Sequence, residues 1–298
     1  MGAESLGVYN RSPMLSILIV NWNTRDLLRK CLHSIEEFPP SEPFEIVVLD
    51  NASGDRSAEM VSAEFPRVTL LASAINTGYA AGNNLAFAAA SGDFLLTLNP
   101  DTELVDFSLD QALSLLRTNS KIGSIGAKQI SPDGSIQRSV RGFPSIVGIA
   151  GDLLGIASGP FGSYRLPNFD YEVEQLAPQP MGTFLMLRRE ALASVGDAQS
   201  PLDESFPIFF NEVDLLFRLD QAGWKCLYSP RVRIMHHGGE GTKQVKRAMI
   251  WESHRSLVRF LAKHRVHWWN APLYWLVFGI VYLGAFARAR GYSAGFRS

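Results

Sequence analysis

The chain has 298 residues, of which 46% are hydrophobic and 19% are charged, and its formal net charge is −1. This length can bury a substantial core and allows one large α/β domain or two small ones. The two cysteines, Cys31 and Cys226, are too few for a disulfide framework and lack the spacing of metal ligands. The chain is therefore neither a small disulfide-stabilised domain nor a small domain held by cysteine-bound metal.

Short β-branched segments alternate with stretches long enough for helices. Strands are predicted at 15–20, 44–50, 68–72 and 93–99, and a further buried strand is predicted at 181–189. This alternation predicts an α/β fold with a mainly parallel sheet and helices on both faces.

Three other parts of the chain are less regular. Residues 1–13 are predicted to form a loose leader, and no signal peptide is expected because the first apolar run is short. The Gly- and Pro-rich stretch at 130–180 predicts long loops, where binding specificity is often built. Helices are predicted from near Glu190 and at about 243–264.

Polar residues follow each of the first four strands. In a parallel sheet the carboxyl ends of the strands meet at one edge, where ligands bind. A turn or a helix cap explains any one of these residues equally well, but their arrival together favours a binding site. The candidates are Asn21, Asn23, Asp50, Asn51, Asn76, Gly78, Asn99 and Asp101.

Two of these segments suggest particular chemistry. Asn99 and Asp101 offer oxygen ligands of the kind that suit Mg2+ or Mn2+ shared with a diphosphate, although NPD is also an ordinary turn sequence. Gly78 and Gly82 start an alanine-rich helix whose N–H groups are predicted to approach a phosphate. The absence of G-x-G-x-x-G and of a P-loop sequence argues against those two nucleotide sites.

The chain contains, in order, the segments VNWN, VVLDNAS, NTGYAAGNN, LNPD, GTFLMLRR, LDESFPIFFNEVDLLFRLDQAGW and IMHHGG. This set resembles the inverting glycosyltransferases of family 2, nearest to their rhamnosyltransferase-like branch. The resemblance implies a GT-A fold at 14–245, with a nucleotide-sugar-binding half at 14–128 and an acceptor-binding and catalytic half at 129–245. A basic, aromatic, membrane-associating region is expected at 246–298.

The resemblance also implies roles for residues by their position in these motifs. Asp50 matches the acid that binds the uracil or thymine nucleoside. Asp101 matches the metal ligand of the family's D-x-D, in which Asn99 replaces the first acid, and His236, in preference to His237, matches a histidine that completes metal coordination. The loop residues expected at the nucleotide sugar are Asn76, Gly78, Gly82 and Asn83.

The segment FFNEVDLLFR resembles the family motif EDVDL, which places Glu212 at the position of the catalytic base that takes a proton from the acceptor hydroxyl. Asp214 points elsewhere in a helix and is expected to hold Arg218, unless a one-residue shift in register makes Asp214 the base. Phe209 and Phe210, with Arg218, are expected at the acceptor, where the rings would raise the basicity of Glu212. Two acids that only cap a helix are the structural alternative.

The C-terminal part combines positive charge with an apolar run. After Glu252 there is no Asp or Glu, so this part carries +7 and the rest of the chain −8. Such a tail suits an anionic membrane surface or nucleic acid, and the run at 266–287 favours the membrane. The run is long enough to span a bilayer but equally suits an interfacial helix, and Arg255, Arg259 and Lys263 predict a basic stripe for lipid. A helix packed on the core, or on a second subunit in a homo-oligomer, is the alternative.

These features predict a metal-dependent inverting glycosyltransferase at the cytoplasmic face of the plasma membrane. Its expected partners are a dTDP- or UDP-sugar donor, with dTDP-rhamnose preferred, and a lipid-linked or cell-surface glycan acceptor; no nucleic acid is expected. One alternative is a UDP-galactofuranose, UDP-GlcNAc or UDP-glucose donor. Another is a catalytically silent binding subunit, since Asn99 and Asn211 are neutral where acids are usual.

Overall fold

The computed structural model describes residues 15–154, 164–238 and 245–291, so the predicted leader lies outside the described residues. The strands are β1 (Leu15–Asn21), β2 (Phe44–Asp50), β3 (Thr69–Ala72), β4 (Phe94–Leu98), β5 (Thr102–Leu104), β6 (Ile122–Ile130), β7 (Val140–Arg141), β8 (Gln175–Leu176), β9 (Gln179–Pro180), β10 (Phe184–Arg188) and β11 (Lys225–His236). The helices are α1 (Arg25–Glu37), α2 (Ser57–Glu64), α3 (Tyr79–Ala89), α4 (Ser108–Thr118), α5 (Ile146–Leu154), α6 (Arg189–Ala193), α7 (Asn211–Gln221), α8 (Lys246–His264) and α9 (Ala271–Ala289).

The five predicted strands are present as β1 to β4 and β10. The predicted strand at 181–189 begins three residues later than expected. Its first residues leave the sheet because the Met181 N–H donates to the Ser139 carbonyl instead, over 2.8 Å. This detour brings Gly182 beneath the start of α7, where it contacts Glu212.

The central sheet has the order β3-β2-β1-β4-β10-β6-β11-β5, and β8 pairs with β11. Strands β1 to β4 are parallel to one another, and β6 and β11 run in the same direction, because β10 is antiparallel to both β4 and β6. Only β5, β8 and β10 of this sheet run the other way. The predicted mixed, mainly parallel α/β sheet with flanking helices is therefore confirmed.

Helices cover both faces of the sheet, as expected for parallel strands that are apolar on both sides. On one face α1, α2 and α4 contribute apolar residues at helical spacing, such as Leu28, Leu32 and Ile35 of α1. On the other face α3, α6 and α7 pack, with Phe87 and Leu215 among their buried side chains. The carboxyl ends of β1, β2 and β4 are left facing solvent at one edge.

The C-terminal part forms an antiparallel pair of helices, α8 and α9. The rings of Trp251 and Tyr282 lie 6.3 Å apart, which sets the relative positions of the two helices. A third apolar cluster joins this pair to α5 and α7, and it includes Phe210, Phe217 and Val277. The pair therefore packs on the α/β body through buried side chains.

The three cations of the predicted basic stripe, Arg255, Arg259 and Lys263, are all exposed, and two of them also contact the α/β body. The Arg259 guanidinium donates to the Ser205 carbonyl, and Lys263 Nζ lies 2.7 Å from Asp203 Oδ2 and 2.6 Å from Asp214 Oδ1. The acids lie beside α8 because Asp203 belongs to the segment before α7 and Asp214 to α7 itself. The basic stripe for lipid stays a prediction.

Candidate active site

A cleft of about 270 Å³ lies at the carboxyl ends of β1, β2 and β4. It combines amide, carboxylate and apolar side chains, as small-molecule sites usually do. Val245 and Met249, at the start of α8, form part of its wall. The residues that line it are Val20, Trp22, Thr24, Asn51, Asn76, Gly78, Tyr79, Asn99, Pro100, Asp101, Ile208, Val245 and Met249.

Asn21 and Asp50 are buried at the ends of neighbouring strands. The Asn21 amide donates to Asp50 Oδ1 over 2.9 Å, and the Ser53 N–H donates to Asp50 Oδ2 over 3.0 Å. Asn23 accepts a hydrogen bond from the loop after β2 over 2.8 Å. These contacts tie the loops after β1 and β2 together and so hold Trp22 in the cleft wall.

The start of α3, predicted to approach a phosphate, is occupied by the protein itself. The N–H groups of Tyr79 and Ala80 donate to the Pro207 carbonyl over 2.7 and 3.0 Å. Gly78 has φ +87°, and a Cβ on it would lie 3.1 Å from the same oxygen, so the position requires glycine. The predicted use of these N–H groups for a phosphate is wrong, because the loop before α7 already takes them.

Gly82 and Asn83 have packing roles instead of the expected contact with a nucleotide sugar. A Cβ on Gly82 would lie 2.7 Å from Leu49 Cδ2 and 3.0 Å from Val20 Cγ1, so glycine allows α3 to approach the sheet closely. The Asn83 amide donates to the Tyr79 carbonyl over 2.9 Å within the helix. Both residues are buried beneath the cleft, whereas Asn76 and Gly78 of the same loop line it.

Tyr79 lies at the centre of the site. Its hydroxyl donates to Asn99 Oδ1 over 3.0 Å. Burial raises the pKa of Tyr79, and the nearby carboxylates of Glu212 and Asp101 raise it further. The hydroxyl therefore stays protonated and positions Asn99 at the end of β4.

Asp101 and His236 form the pair that is able to hold a metal ion. Both are buried, and His236 Nε2 lies 3.5 Å from Asp101 Oδ2. Gln137 Oε1 contacts His236 Nδ1 over 2.7 Å, which orients the ring with Nε2 toward the carboxylate. The neighbouring His237 is turned to Glu103 Oε1, at 2.6 Å.

The donor set fits a divalent cation that is shared with a diphosphate. A carboxylate oxygen and an imidazole nitrogen suit Mn2+, and a second partner that orients the imidazole, here Gln137, is typical of metal-binding histidines. Within the described ranges, no group of three or more His, Cys, Asp or Glu side chains converges. Asp101 and His236 would supply two ligands to such a cation, and a bound diphosphate would supply further oxygen ligands.

Glu212 lies in the first turn of α7, partly buried behind Tyr79. The two residues share a small cavity of about 10 Å³ with Gly182. A Cβ on Gly182 would lie 3.3 Å from Glu212 Cγ, so glycine leaves room beside the carboxylate. Burial raises the pKa of Glu212 to about 7, and the N–H groups of Glu212 and Val213 offset only part of this. Such a carboxylate is matched to proton transfer at neutral pH.

Asp214 is fully buried and anchors α7 to α8. It accepts from Arg218 Nε over 2.8 Å, from Lys263 Nζ over 2.6 Å and from His264 Nε2 over 2.7 Å. Burial alone raises the pKa of Asp214, but hydrogen bonds from Lys263, His264 and Arg218 outweigh it and hold the pKa below its ordinary value. The geometry contradicts the alternative in which Asp214 is the base, because a carboxylate so stabilised takes up a proton poorly.

Two of the three residues expected at the acceptor are structural. The Arg218 guanidinium contacts Asp214 and also donates to the carbonyls of Val195 and Pro201. Phe210 is buried in the third apolar cluster, with its ring 6.0 Å from that of Phe260. Phe209 is partly buried at the edge of the same cluster and keeps an accessible surface.

Four residues of the site were not predicted from the sequence: Trp22, Tyr79, Gln137 and Met249. Tyr79 and Trp22 stand inside recognised motifs, NTGYAAGNN and VNWN, and an aromatic ring within a site motif was the available signal. Gln137 lies in an irregular stretch and Met249 on an amphipathic helix, and neither position carries a pattern that indicates a site.

Comparisons with known proteins show the family and the fold of the chain. The family described as Glycosyl transferase family 2 matches residues 16–196, more than half of the chain. An N-acetylglucosaminyl-diphospho-decaprenol L-rhamnosyltransferase of Mycobacterium tuberculosis is 28% identical over 285 residues, which cover 90% of each chain. Rhamnosyltransferase WbbL of Escherichia coli K12 is 23% identical over 266 residues, covering 85% of this chain and 94% of its own.

A solved structure shares the fold. The mannosyltransferase PcManGT from Pyrobaculum calidifontis, in complex with GDP-Man and Mn2+, aligns with a TM-score of 0.59 at 16% identity, over 94% of this chain and 74% of its own. The resemblance inferred from the motifs is confirmed, and the α/β sheet is of the GT-A type. The chain therefore belongs to glycosyltransferase family 2 and is a glycosyltransferase.

Proposed function

We propose that this protein is an inverting, metal-dependent rhamnosyltransferase that transfers L-rhamnose from dTDP-L-rhamnose to a lipid-linked sugar diphosphate. The observation that carries the proposal is a cleft lined by Asp101, with His236 beside Asp101 and Glu212 behind Tyr79 of the cleft wall. The chain is similar over nine-tenths of its length to an N-acetylglucosaminyl-diphospho-decaprenol L-rhamnosyltransferase. Asp101 and His236 suit the diphosphate of a donor, and Glu212 suits the hydroxyl of an acceptor.

The donor lies in the cleft with its nucleoside toward the ends of β1 and β2. Trp22 supplies an apolar surface for a base, and Asn76 supplies an amide at the cleft wall, whereas the Asn51 amide is already bonded to Gly78 and Thr77. Asp50 keeps unused lone pairs on the two oxygens that already accept from Asn21 and Ser53, and these suit an imide or ribose donor. The sugar diphosphate then extends toward Asn99 and Asp101.

A divalent cation, Mg2+ or Mn2+, would be held by Asp101 and His236. When bound, it would stabilise the negative charge that develops on the leaving diphosphate. Mn2+ accompanies the nucleotide sugar in the solved mannosyltransferase, which supports the proposal. Gln137 orients His236 through Nδ1 and thereby keeps Nε2 directed at the site.

Glu212 acts as the general base. Its carboxylate accepts the proton of the acceptor hydroxyl while the oxygen forms a bond to the anomeric carbon. The oxygen attacks from the face opposite the donor diphosphate, and the bond from the anomeric carbon to the diphosphate breaks as the diphosphate leaves with the electron pair, so the configuration inverts. A pKa near 7 gives Glu212 both a large ionised fraction and sufficient basicity near neutral pH.

The acceptor hydroxyl approaches Glu212 on the side of Tyr79 and Gly182, the residues that share a cavity with its carboxylate. The lipid-linked acceptor in the name of the mycobacterial relative supports an acceptor of this class and a position at a membrane, which we place at its cytoplasmic face.

The test is a product assay with dTDP-L-rhamnose, UDP-galactofuranose, UDP-GlcNAc and UDP-glucose. Each donor is incubated with Mn2+ and a polyprenyl-diphospho-GlcNAc acceptor, and products are identified by mass spectrometry. Glu212→Gln is expected to bind the donor while its turnover falls by about 10²- to 10⁴-fold. Glu190→Gln is the matched control, since Glu190 is also in the first turn of a helix but exposed and outside the cleft.

The outcomes separate the proposal from its rivals. Rhamnosylated product from the wild type and from Glu190→Gln, but not from Glu212→Gln, would support it. Turnover of a UDP-sugar alone would replace the donor but keep the mechanism. Donor binding without turnover of any sugar by the wild type would identify a silent binding subunit instead.

A further inference from the structure

Helix α9 has two apolar faces, and only one of them is covered. The covered face packs against α8 and α5 and consists of Tyr274, Val277, Val281, Gly284 and Ala285. On the opposite face Leu276 is 61% exposed and Leu283 70% exposed, and Trp268, just before the helix, is 90% exposed. We call this exposed set the apolar face; it comprises Trp268, Trp269, Leu273, Trp275, Leu276, Ile280, Leu283 and Phe286. Proteins rarely leave such a contiguous apolar surface in water.

The charge of the helix pair is mainly positive. Between residues 245 and 291 Glu252 is the only acid. The antiparallel register set by Trp251 and Tyr282 brings Lys246 and Arg247 to the end of the pair where Arg288 and Arg290 lie. One end of the apolar face is therefore basic and the other carries tryptophans, and both are features of segments at an anionic lipid surface.

The packing of α9 also decides its orientation toward such a surface. Its 19 residues are long and apolar enough to cross a membrane by composition alone. However, Val277 and Val281 are fully or almost fully buried against the protein, along the middle of the helix. A spanning helix would have to leave these contacts, whereas a helix lying parallel to the surface keeps them and inserts only its free face.

We propose that α8 and α9 form a monotopic membrane-docking site, in which the apolar face of α9 lies in the plane of an anionic lipid bilayer. The basic end of the pair contacts lipid headgroups. Because Val245 and Met249 at this end of α8 also line the cleft, docking places the cleft mouth beside the headgroups. This last consequence rests on the proposed lipid-linked acceptor, whereas the docking itself does not.

The test is flotation of the full-length protein with vesicles of phosphatidylcholine alone or mixed with phosphatidylglycerol. The double substitution Leu276→Glu, Leu283→Glu is expected to lower the bound fraction about tenfold or more, since binding scales with inserted apolar area. Leu85→Glu, Val173→Glu is the matched control, because it adds the same charge at two exposed apolar residues outside the pair. The control is expected to float like the wild type, and the wild type to prefer the anionic vesicles.

A second measurement does not depend on those variants. Vesicles are expected to shift the tryptophan fluorescence of the wild type to shorter wavelength, and Trp268→Ser, Trp269→Ser to remove most of that shift. Cys31 and Cys226 are buried, so Ala289→Cys at the end of α9 supplies an accessible thiol. On protein added to sealed vesicles this thiol is expected to react with a membrane-impermeant maleimide. Protection of the thiol in the bound protein would show that α9 spans the bilayer and would overturn the proposed orientation.

Two other results would overturn the docking site itself. Leu276→Glu, Leu283→Glu floating as well as the wild type would show that the apolar face does not contact lipid. Light scattering without detergent measures the oligomeric state of the wild type and of this variant. A dimeric wild type and a monomeric variant would show that a second copy of the chain covers the apolar face. Turnover of a short-chain, water-soluble acceptor is measured alongside, so that loss of docking is distinguished from failure of the proposed transferase activity.

Discussion

Glu212→Gln should make the protein more stable at the same time as it removes activity. The carboxylate is partly buried at the start of α7, and burial raises its pKa from the ordinary 4.5 to about 7. The folded state therefore binds this proton more tightly than the unfolded chain does. The stabilising contribution of this proton is consequently lost as the pH rises from 4.5 to 7. Above pH 7 the folded protein bears the full free-energy cost of the buried, ionised carboxylate.

The size of the effect follows from the pKa values. A tenfold change in proton affinity is equivalent to about 1.4 kcal/mol, so a rise from 4.5 to about 7 corresponds to about 3 kcal/mol of destabilisation at pH 8. Gln removes the buried charge but also weakens the hydrogen bonds from the N–H groups of Glu212 and Val213. We therefore expect a net gain of about 2 kcal/mol at pH 8 and almost none at pH 4.5.

Urea unfolding followed by circular dichroism at both pH values measures this difference, with Glu190→Gln as the control. In parallel, kcat/KM of the wild type should fall about tenfold per pH unit below pH 7, as the base becomes protonated. Equal stability of Glu212→Gln and wild type at pH 8, or the same gain at both pH values, would refute the reasoning that desolvation of this carboxylate raises its pKa.

The other predictions concern the metal pair, the anchor and the packing of α3. His236→Ala should weaken Mn2+ binding in the presence of dTDP about 10- to 100-fold by calorimetry, and Gln137→Ala should do so less; unchanged binding in both would remove the pair as a metal site. Asp214→Asn should lower the free energy of unfolding by about 3 kcal/mol at neutral pH, an effect that fades in acid because the pKa of Asp214 is lowered; thermal unfolding against pH tests this. Gly82→Ala should cost about 1–3 kcal/mol, since its Cβ would meet Leu49, and a neutral result would show that α3 moves freely.

Local patterns predicted the strands and the edge of the sheet that holds the site. The segments of β1 and β4 can be recognised without their neighbours, because burial on both faces makes each a mostly apolar run. The edge strand β3 is only partly buried and is recognised by its short apolar sequence. The polar residues that follow the strands were expected at one edge because the carboxyl ends of parallel strands meet there. Asn51, Asn76, Asn99 and Asp101 do line one cleft.

Contacts between segments far apart in the chain were not predictable in this way. Tyr79 meets Glu212 across more than a hundred residues, and Gln137 orients His236 from an irregular loop. Asp214 was recognised as a partner of Arg218, four residues on in the same helix, but its contacts with Lys263 and His264 come from α8. Helical periodicity specifies the first of these contacts and carries no information about the other two.

The same division explains the two acids with which α7 begins. The sequence by itself determined that Glu212 and Asp214 stand two residues apart in the first turn of an amphipathic helix, and hence that they face different ways. Only the tertiary structure decided which of them carries a raised pKa. Three cationic or hydrogen-bonding partners surround Asp214 and stabilise its charge, whereas Glu212 is desolvated beside Tyr79 and Gly182, and it is the surroundings of a carboxylate that set its affinity for a proton.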